Sequence, residues 1–564
     1  MMAAIEREVD FIVAGAGAGG MTAALVAALE GKSVLLCEAT QQVGGTTATS
    51  AGTIWLPGNT QSRDAEFEDS FDDAMRYLDG LIPSGEGRAL REAYLRDGPA
   101  VIDDIQRRSQ VKFMSSGRHP DYRDLPGSRV AGRALAPVPF DGRTLGKEFE
   151  RVRPPMPEFM VLGGMMVGKA DIGHLLGRFQ SWASFRHTVS LALRYFTDRI
   201  RFSRGTRLVM GNALVGRFYA SLRDAGATVS FDTRLDDLLV EGGRVAGARL
   251  SVDGKPVEVK ARLGVVLATG GFGRDAGLRK QLMPTGHDRW PSLIFAGNTG
   301  GGVKAAVKAG AALDGPADGE GVFWQPVSVT PGMYGPSGVF PHIFLDRAKP
   351  GLIAVNKAGR RFTNEGASYH YFCNDMIRHD AVPCWVIVDA AFIRKYGLGM
   401  VYPGTTEMKP HVASGYLKCA QTLDDLARQI GVDAQGLAQT VSRSNESALT
   451  GVDAEFGKGA TEVSKFNGDP LHKPNPCLGP IATAPFCAMQ LWPGDAAADA
   501  GIKTDAHGRV LDAAGSAIPG LFACGNDMAS AMRGAYPGPG TTIGPAMVFG
   551  HRAVIAAIKE RNHA

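Results

Sequence analysis

Apolar residues along this chain change their spacing several times, and each change marks an element. Asp10-Phe11-Ile12-Val13-Ala14 has the continuous apolar character of a buried strand and stops at Gly15-Ala16-Gly17-Ala18-Gly19-Gly20. Small apolar residues from Met21 to Glu30 then fit a helix, and Ser33 to Cys37 returns to strand composition. Val265-Val266-Leu267-Ala268 and Leu521-Phe522-Ala523-Cys524 are two more buried strands, each running into a glycine turn. Between them, Leu352-Ile353-Ala354-Val355-Asn356 and Trp385-Val386-Ile387-Val388-Asp389 read as strands. Lys304 to Ala311, Thr422 to Ile430 and Ala434 to Ser447 read as helices.

This order predicts a two-domain α/β protein, which a length of 564 residues also requires. A doubly wound, Rossmann-like domain occupies 1–280 and 453–564. An inserted α+β substrate domain interrupts it over 281–452. A second insert is expected over 148–206. There Phe159-Met160-Val161-Leu162-Gly163-Gly164-Met165-Met166-Val167 is strongly apolar. Phe179 to Phe202 then mixes Trp182, Phe185, Leu191, Leu193 and Phe196 with Arg186, Arg194, Arg199 and Arg201. Two readings of this segment stand: a surface helix lying on the core, or a basic amphipathic patch resting on a membrane surface.

Composition narrows the function. A formal charge of +4 spread over the chain argues against nucleic acid as a partner. The 73 glycines suit tight turns and close cofactor approach. Seven cysteines without a C-x-x-C pair suggest neither a zinc site nor a disulfide framework, and so a reducing, cytoplasmic setting. Met1 to Glu8 runs straight into the first strand and leaves no room for a leader. No window holds the roughly 20 uninterrupted apolar residues of a membrane span. Neither H-E-x-x-H nor clustered carboxylates occur, so no metal is expected.

The strongest local signal is G-x-G-x-x-G, formed by Gly15, Gly17 and Gly20 with Ala18 between them, and Glu38 at the end of the second strand. In that context the glycines supply a tight turn, pyrophosphate approach and helix packing, and the carboxylate suits ribose hydroxyls. A glycine and hydroxyl loop follows: Gly44, Gly45, Thr46, Thr47, Ser50, Ala51 and Gly52. Later come Thr269, Gly270 and Gly271, and then Gly525 and Asn526 ahead of Asp527. This order resembles the flavoproteins of the fumarate reductase and ketosteroid dehydrogenase superfamily. The resemblance implies FAD rather than NAD, bound without a histidyl link because the N-terminal loops carry no histidine.

Near the C-terminus, Tyr536-Pro537-Gly538-Pro539-Gly540 leads through Thr541 and Thr542 into Ile543-Gly544-Pro545, the first turn of a helix. A phenol O–H and a backbone N–H on such a stiff turn can converge on one carbonyl oxygen. The helix start can face an electron-rich cofactor. This segment resembles the most specific motif of the 3-ketosteroid Δ1-dehydrogenases, a likeness that extends over most of the chain outside 148–206. In that family the equivalents of Tyr536 and Gly540 hold the 3-keto oxygen. Arg360-Arg361-Phe362-Thr363-Asn364-Glu365 through Tyr369 resembles the segment that ends in the family's base, and His119-Pro120-Asp121-Tyr122 resembles the one that carries a helper tyrosine. Tyr371 remains an alternative base, because it shares a face with Tyr369 if the segment is extended.

The resemblance implies 1,2-desaturation of a 3-ketosteroid, a step of steroid degradation, with a quinone or another acceptor reoxidising the flavin. A smaller ketone such as 4-oxocyclohexanecarboxylate is the nearest alternative. A flavin electron carrier at a membrane surface is the alternative of another class. A fumarate reductase is disfavoured, because it needs cations where this chain places a tyrosine and glycines.

Overall fold

A computed structural model of the chain describes residues 6–317, 320–330 and 338–562. The leader reading made at Met1 to Glu8 falls partly on residues 1–5, outside the described residues. The first sheet is built around Glu8–Ala14, which lies parallel to Val34–Cys37 on one side and to Lys255–Leu267 on the other. Thr228–Ser230 extends it beyond Val34–Cys37, and Ala517–Ala523 closes the opposite side, both in parallel. These strands read as continuous apolar runs because they are buried on both faces, with Ala18–Leu29 and Ile543–Asn562 packed against them. Phe11, Ile12, Val13, Leu36, Val265, Val266 and Leu521 are fully buried. Lys255–Leu267 changes partner along its length. Its charged first half pairs antiparallel with Arg244–Val252, and its apolar second half enters the sheet centre.

The helix after the glycine turn runs over Ala18–Leu29 and packs against the C-terminal helix Ile543–Asn562. Small residues allow the approach: a Cβ on Gly550 would stand 2.6 Å from the Gly19 carbonyl oxygen. Both helix starts, Ala18 and Ile543, therefore point into the same space beyond the strand ends.

The second sheet is antiparallel throughout, in the order Gly338–Pro341, Val322–Thr330, Phe486–Ala498, Cys384–Asp389, Ile353–Val355. Its central strand, Phe486–Ala498, lies past residue 452, so the sheet runs beyond the limit expected for the substrate domain. A strand whose partners are all distant in sequence leaves no local turn signal to date it by. The same pairing adds a disulfide that the cysteine spacing did not suggest. Cys419 and Cys487 stand opposite each other on adjacent strands and are joined as a disulfide, 68 residues apart in sequence.

The insert contains a small hairpin, Met160–Val161 with Met165–Met166, and two helices, Lys169–Leu176 and Trp182–Asp198. One side of Trp182–Asp198 is anchored: Leu191 and Tyr195 pack on Met165, and Tyr195 donates to the Leu162 carbonyl at 2.7 Å. The opposite side, Trp182, Phe185, Val189, Leu193 and Phe196, is exposed. Among the described residues no helix is long and apolar enough to cross a membrane.

Candidate active site

Two positions of the glycine turn, Gly15 and Gly20, admit only glycine. Gly15 has φ +104°, and an added Cβ would sit 2.2 Å from the Ala268 carbonyl oxygen. A Cβ on Gly20 would sit 1.9 Å from the Gly15 carbonyl oxygen, so Gly20 packs the helix onto the turn rather than facing outward. Ala18 N–H donates to Thr47 Oγ1 at 3.1 Å, which draws the hydroxyl loop over the helix start. Glu38 is buried and accepts from Ala16 N–H, Thr40 N–H and Thr40 Oγ1; burial raises its carboxyl above the usual range. On the far side, the buried Asp527 accepts from Thr269 N–H at 2.5 Å and from Gly271 N–H at 2.8 Å, fixing that turn.

These groups open onto one cavity of about 1750 Å³. Gly15, Gly17, Ala18, Glu38, Gly45, Thr46, Thr47, Ser50, Ala51, Gly52, Thr269, Gly270, Gly525, Asn526, Thr542 and Ile543 all line it. Gly20, Gly44 and Gly271 stand behind the wall: Gly44 packs on Val215 and Ala48, and Gly271 on the Asn526 carbonyl. A glycine turn, a helix start and a buried carboxylate around one elongated space fit a flavin dinucleotide.

The same cavity reaches Tyr122, Tyr369, Tyr536 and Gly540. The three tyrosines come from segments hundreds of residues apart and form one cluster. The Tyr369 ring lies 5.4 Å from that of Tyr122 and 5.1 Å from that of Tyr536, edge-on to both, and Tyr122 stacks on Tyr536 at 5.7 Å. Phe323 and Phe344 complete the aromatic wall. The Tyr536 hydroxyl and the Gln325 side chain both act on the Tyr369 phenol in the direction that favours its ionised form, against the larger effect of burial. The Tyr122 hydroxyl feels Tyr369 but has no partner at hydrogen-bond distance. Burial pushes all three phenols well above the usual tyrosine range. Gly540 has φ +97°, and a Cβ there would collide with Thr53 and Ile54 backbone at 2.4–2.5 Å, so only glycine fits at this point of the wall.

The family model described as FAD binding domain matches residues 10–543. A 3-oxosteroid 1-dehydrogenase of Mycolicibacterium smegmatis is 34% identical over 566 residues, covering 97% of each chain. The crystal structure of 3-ketosteroid delta1-dehydrogenase from Sterolibacterium denitrificans, in complex with 1,4-androstadiene-3,17-dione, superposes with a TM-score of 0.91. It is 33% identical and covers 98% of this chain and 100% of that one. The chain is an FAD-dependent oxidoreductase of the ketosteroid dehydrogenase family. A 4-oxocyclohex-2-ene-1-carboxylate 5-dehydrogenase of Sinomonas cyclohexanicum is 39% identical over 560 residues, covering 96% of this chain and 92% of that protein.

Within this flavoprotein the two candidate bases separate. The segment is not extended at Tyr369: the helix Tyr369–Arg378 begins there, so Tyr371 points to a different side. Tyr371 Oη accepts from Tyr536 N–H at 3.4 Å, behind the cluster, and the Tyr371 ring centre lies 4.9 Å from the Arg123 guanidinium. Sequence reasoning missed Arg347, which is buried in the same wall. Its guanidinium donates to the carbonyls of Glu365 at 2.9 Å and Ala367 at 3.1 Å, the turn that launches the Tyr369 helix. Its charge also favours the ionised form of Tyr122. Arg153, beside Glu38 and bonded to Thr40 Oγ1 at 2.7 Å, was missed as well. Neither arginine stands in a motif. Only tertiary contact reveals them.

Proposed function

We propose that this enzyme introduces the C1–C2 double bond into a 3-ketosteroid. The observation that carries the reading is the three-tyrosine cluster with the Gly540 backbone, placed on the wall of the cavity that also holds the flavin cradle. Tyr536 O–H and Gly540 N–H polarise the ketone oxygen and stabilise the enolate charge. Tyr369 removes the C2 proton, and Tyr122, whose hydroxyl lacks a protein partner, stands ready to support the phenolate. Bound FAD supplies the acceptor for the hydride leaving C1. The electron pair of the broken C2–H bond becomes the new π bond, so atoms and electrons balance.

The lining favours an extended apolar substrate: Phe323, Phe340, Ile343, Phe344, Leu398 and Val401 face the cavity. A single-ring 4-oxo acid is the second reading, favoured by the 39% identical relative. The test is anaerobic. Androst-4-ene-3,17-dione added to the flavoprotein should bleach the visible flavin band and form the 1,4-diene. Bleaching by 4-oxocyclohex-2-ene-1-carboxylate alone would move the assignment to the single-ring ketone. Bleaching by neither would leave an electron carrier.

We also propose that the enzyme rests on an anionic membrane through the helix Trp182–Asp198 and passes its electrons to a quinone dissolved there. Trp182, Phe185, Val189, Leu193 and Phe196 are spaced to share one helix face, and Phe179 and Ile200, 82% and 80% exposed, extend it at both ends. Arg178, Arg186, Arg199 and Arg201 are exposed beside it, whereas Asp171 and Asp198 are buried and ion-paired. The surface is thus apolar and cationic, as an interfacial helix requires. Leu162, Leu175, Thr188 and Ala192 of the same insert line the cavity, so its mouth lies beside this face. Holoenzyme should float with phosphatidylglycerol vesicles, and Trp182→Ser with Phe196→Ser should not. Equal flotation of both proteins would remove the membrane reading.

A further inference from the structure

Asp121 precedes the helper tyrosine, yet nothing in the chemistry above uses it. It is 2% exposed and holds three groups from two segments. Oδ1 accepts from Trp55 Nε1 at 2.7 Å. Oδ2 accepts from Arg133 Nη1 at 2.7 Å and from Arg129 N–H at 3.0 Å. Arg133 is equally buried and is held from behind by Asp69, through Nε at 2.9 Å and Nη2 at 2.7 Å. Its guanidinium lies 5.7 Å from the ring centres of both Trp55 and Tyr77.

Two of these neighbours, Trp55 and Tyr77, touch the turn that carries the carbonyl clamp. Trp55 N–H donates to the Gly540 carbonyl at 3.2 Å. The Trp55 indole lies so close to Gly538 that a Cβ there would stand 2.4 Å from it. Tyr77 Oη donates to the Pro537 carbonyl at 2.8 Å, and Tyr122 N–H donates to the same oxygen at 2.9 Å. The helper tyrosine and the turn from Tyr536 to Gly540 are therefore pinned to each other through one carbonyl and one buried carboxylate.

We propose that Asp121 is a positioning residue that, through Trp55 and Arg133, fixes Tyr122 and the Tyr536–Gly540 turn in a single register. This rests on the roles given to Tyr122, Tyr536 and Gly540 above. The carboxylate acts only when ionised. Burial, opposed by the Arg133 charge, pushes its carboxyl up to about 6. The charged or titratable groups facing it are Arg133, Asp69 and Tyr77.

The sign separates activity from stability. A carboxyl raised in the fold takes up a proton more readily than in the unfolded chain. On its account, stability falls as pH rises from the ordinary carboxylate range to about 6, and does not fall on acidification. Activity should do the reverse and drop below pH 6 with the bracket loosened.

The test uses holoenzyme carrying 3-fluorotyrosine. Asp121→Asn should keep its flavin, lose about 10–100-fold in kcat, as misplacement of reacting groups does, and lose the acid limb near pH 6. The milder Trp55→Phe should lose less and keep that limb. In both variants the fluorine signals of Tyr122 and Tyr536 should shift or broaden, whether or not a ketosteroid is turned over. Moved signals without turnover of any ketone would therefore support the bracket while sinking the substrate reading. Unmoved signals, or wild-type kcat and an unchanged acid limb in Asp121→Asn, would overturn the proposal. Should Asp121→Asn not fold, the Trp55→Phe signals and the wild-type acid limb decide alone.

Discussion

Around Gly15 and Thr269 the cavity wall is made of backbone, and around Tyr369 it is made of side chains. The flavin cradle depends on chain reversals that no Cβ tolerates, such as the 2.2 Å contact that Gly15 would make with Ala268. The tyrosine pocket depends on phenols brought from positions 122, 369 and 536 to within 5.1–5.7 Å of one another. Backbone sites fail by losing shape, because a Cβ in the wrong place moves everything bonded to that turn. Side-chain sites fail by losing a function while the shape survives. Damage to the two regions should therefore look different in the same assay.

The largest effects test this directly. Gly15→Val should yield colourless protein with no measurable turnover. Tyr369→Phe should stay yellow while kcat falls by about 10²–10⁴, the range for removing a general base. Flavin content by absorbance and kcat by dye reduction give both readouts on one sample. Loss of flavin from Tyr369→Phe, or a yellow Gly15→Val, would erase the distinction. Tyr536→Phe comes next: one of two donors to the ketone oxygen is removed, and a loss of about 10²–10³ in kcat is expected, with flavin retained.

The contrast also explains what was legible in the sequence. The cradle's glycines, Glu38 and the Thr46-Thr47 loop lie within one βαβ unit, so spacing alone exposes them. Tyr536 and Gly540 are nearly as plain, because Pro537 and Pro539 stiffen the turn between them. Tyr122 and Tyr369 are isolated tyrosines, identified only by resemblance to a family. Gln325 and the Cys419–Cys487 pair were invisible for a further reason: their neighbours are chosen by sheet pairing, which brings Phe486–Ala498 between two strands far earlier in the chain, whereas Arg347 binds loop carbonyls that no spacing announces. The condition of an extended backbone at Tyr369 is not met because Ser368, a residue type favoured just before a helix, starts one there, although its hydroxyl makes no capping bond.

Arg347 blurs the comparison, since it is a side chain whose work is on backbone. It holds the Glu365 and Ala367 carbonyls, and its charge favours ionisation in the cluster. Tyrosinate is the active form of the base, and burial raises its pKa, so activity should climb from neutral pH into the alkaline range. Removing the cation that favours ionised Tyr122, the phenol proposed to support that base, should move that limb further up. Arg347→Met should therefore cost about tenfold at pH 8, equivalent to one pKa unit, and Arg347→Lys should recover part of it. A pH–rate profile that is flat from neutral to alkaline in the wild type would count against a tyrosine base altogether.

The smallest expected effect is the sharpest discriminator. Tyr371 lies two residues after Tyr369 and is half-buried, with its phenol pKa also raised by burial. Helix geometry sends it to another side, where it makes one long bond to Tyr536 N–H at 3.4 Å. A hydrogen bond of that kind contributes about 0.5–1 kcal/mol, so Tyr371→Phe should lose no more than about fivefold in kcat. If instead Tyr371→Phe were dead and Tyr369→Phe active, the base would sit behind the cluster rather than on the cavity wall. The proton would then have to cross the Tyr536 backbone, and the division between a shaping backbone and a reacting side chain would no longer hold at this site.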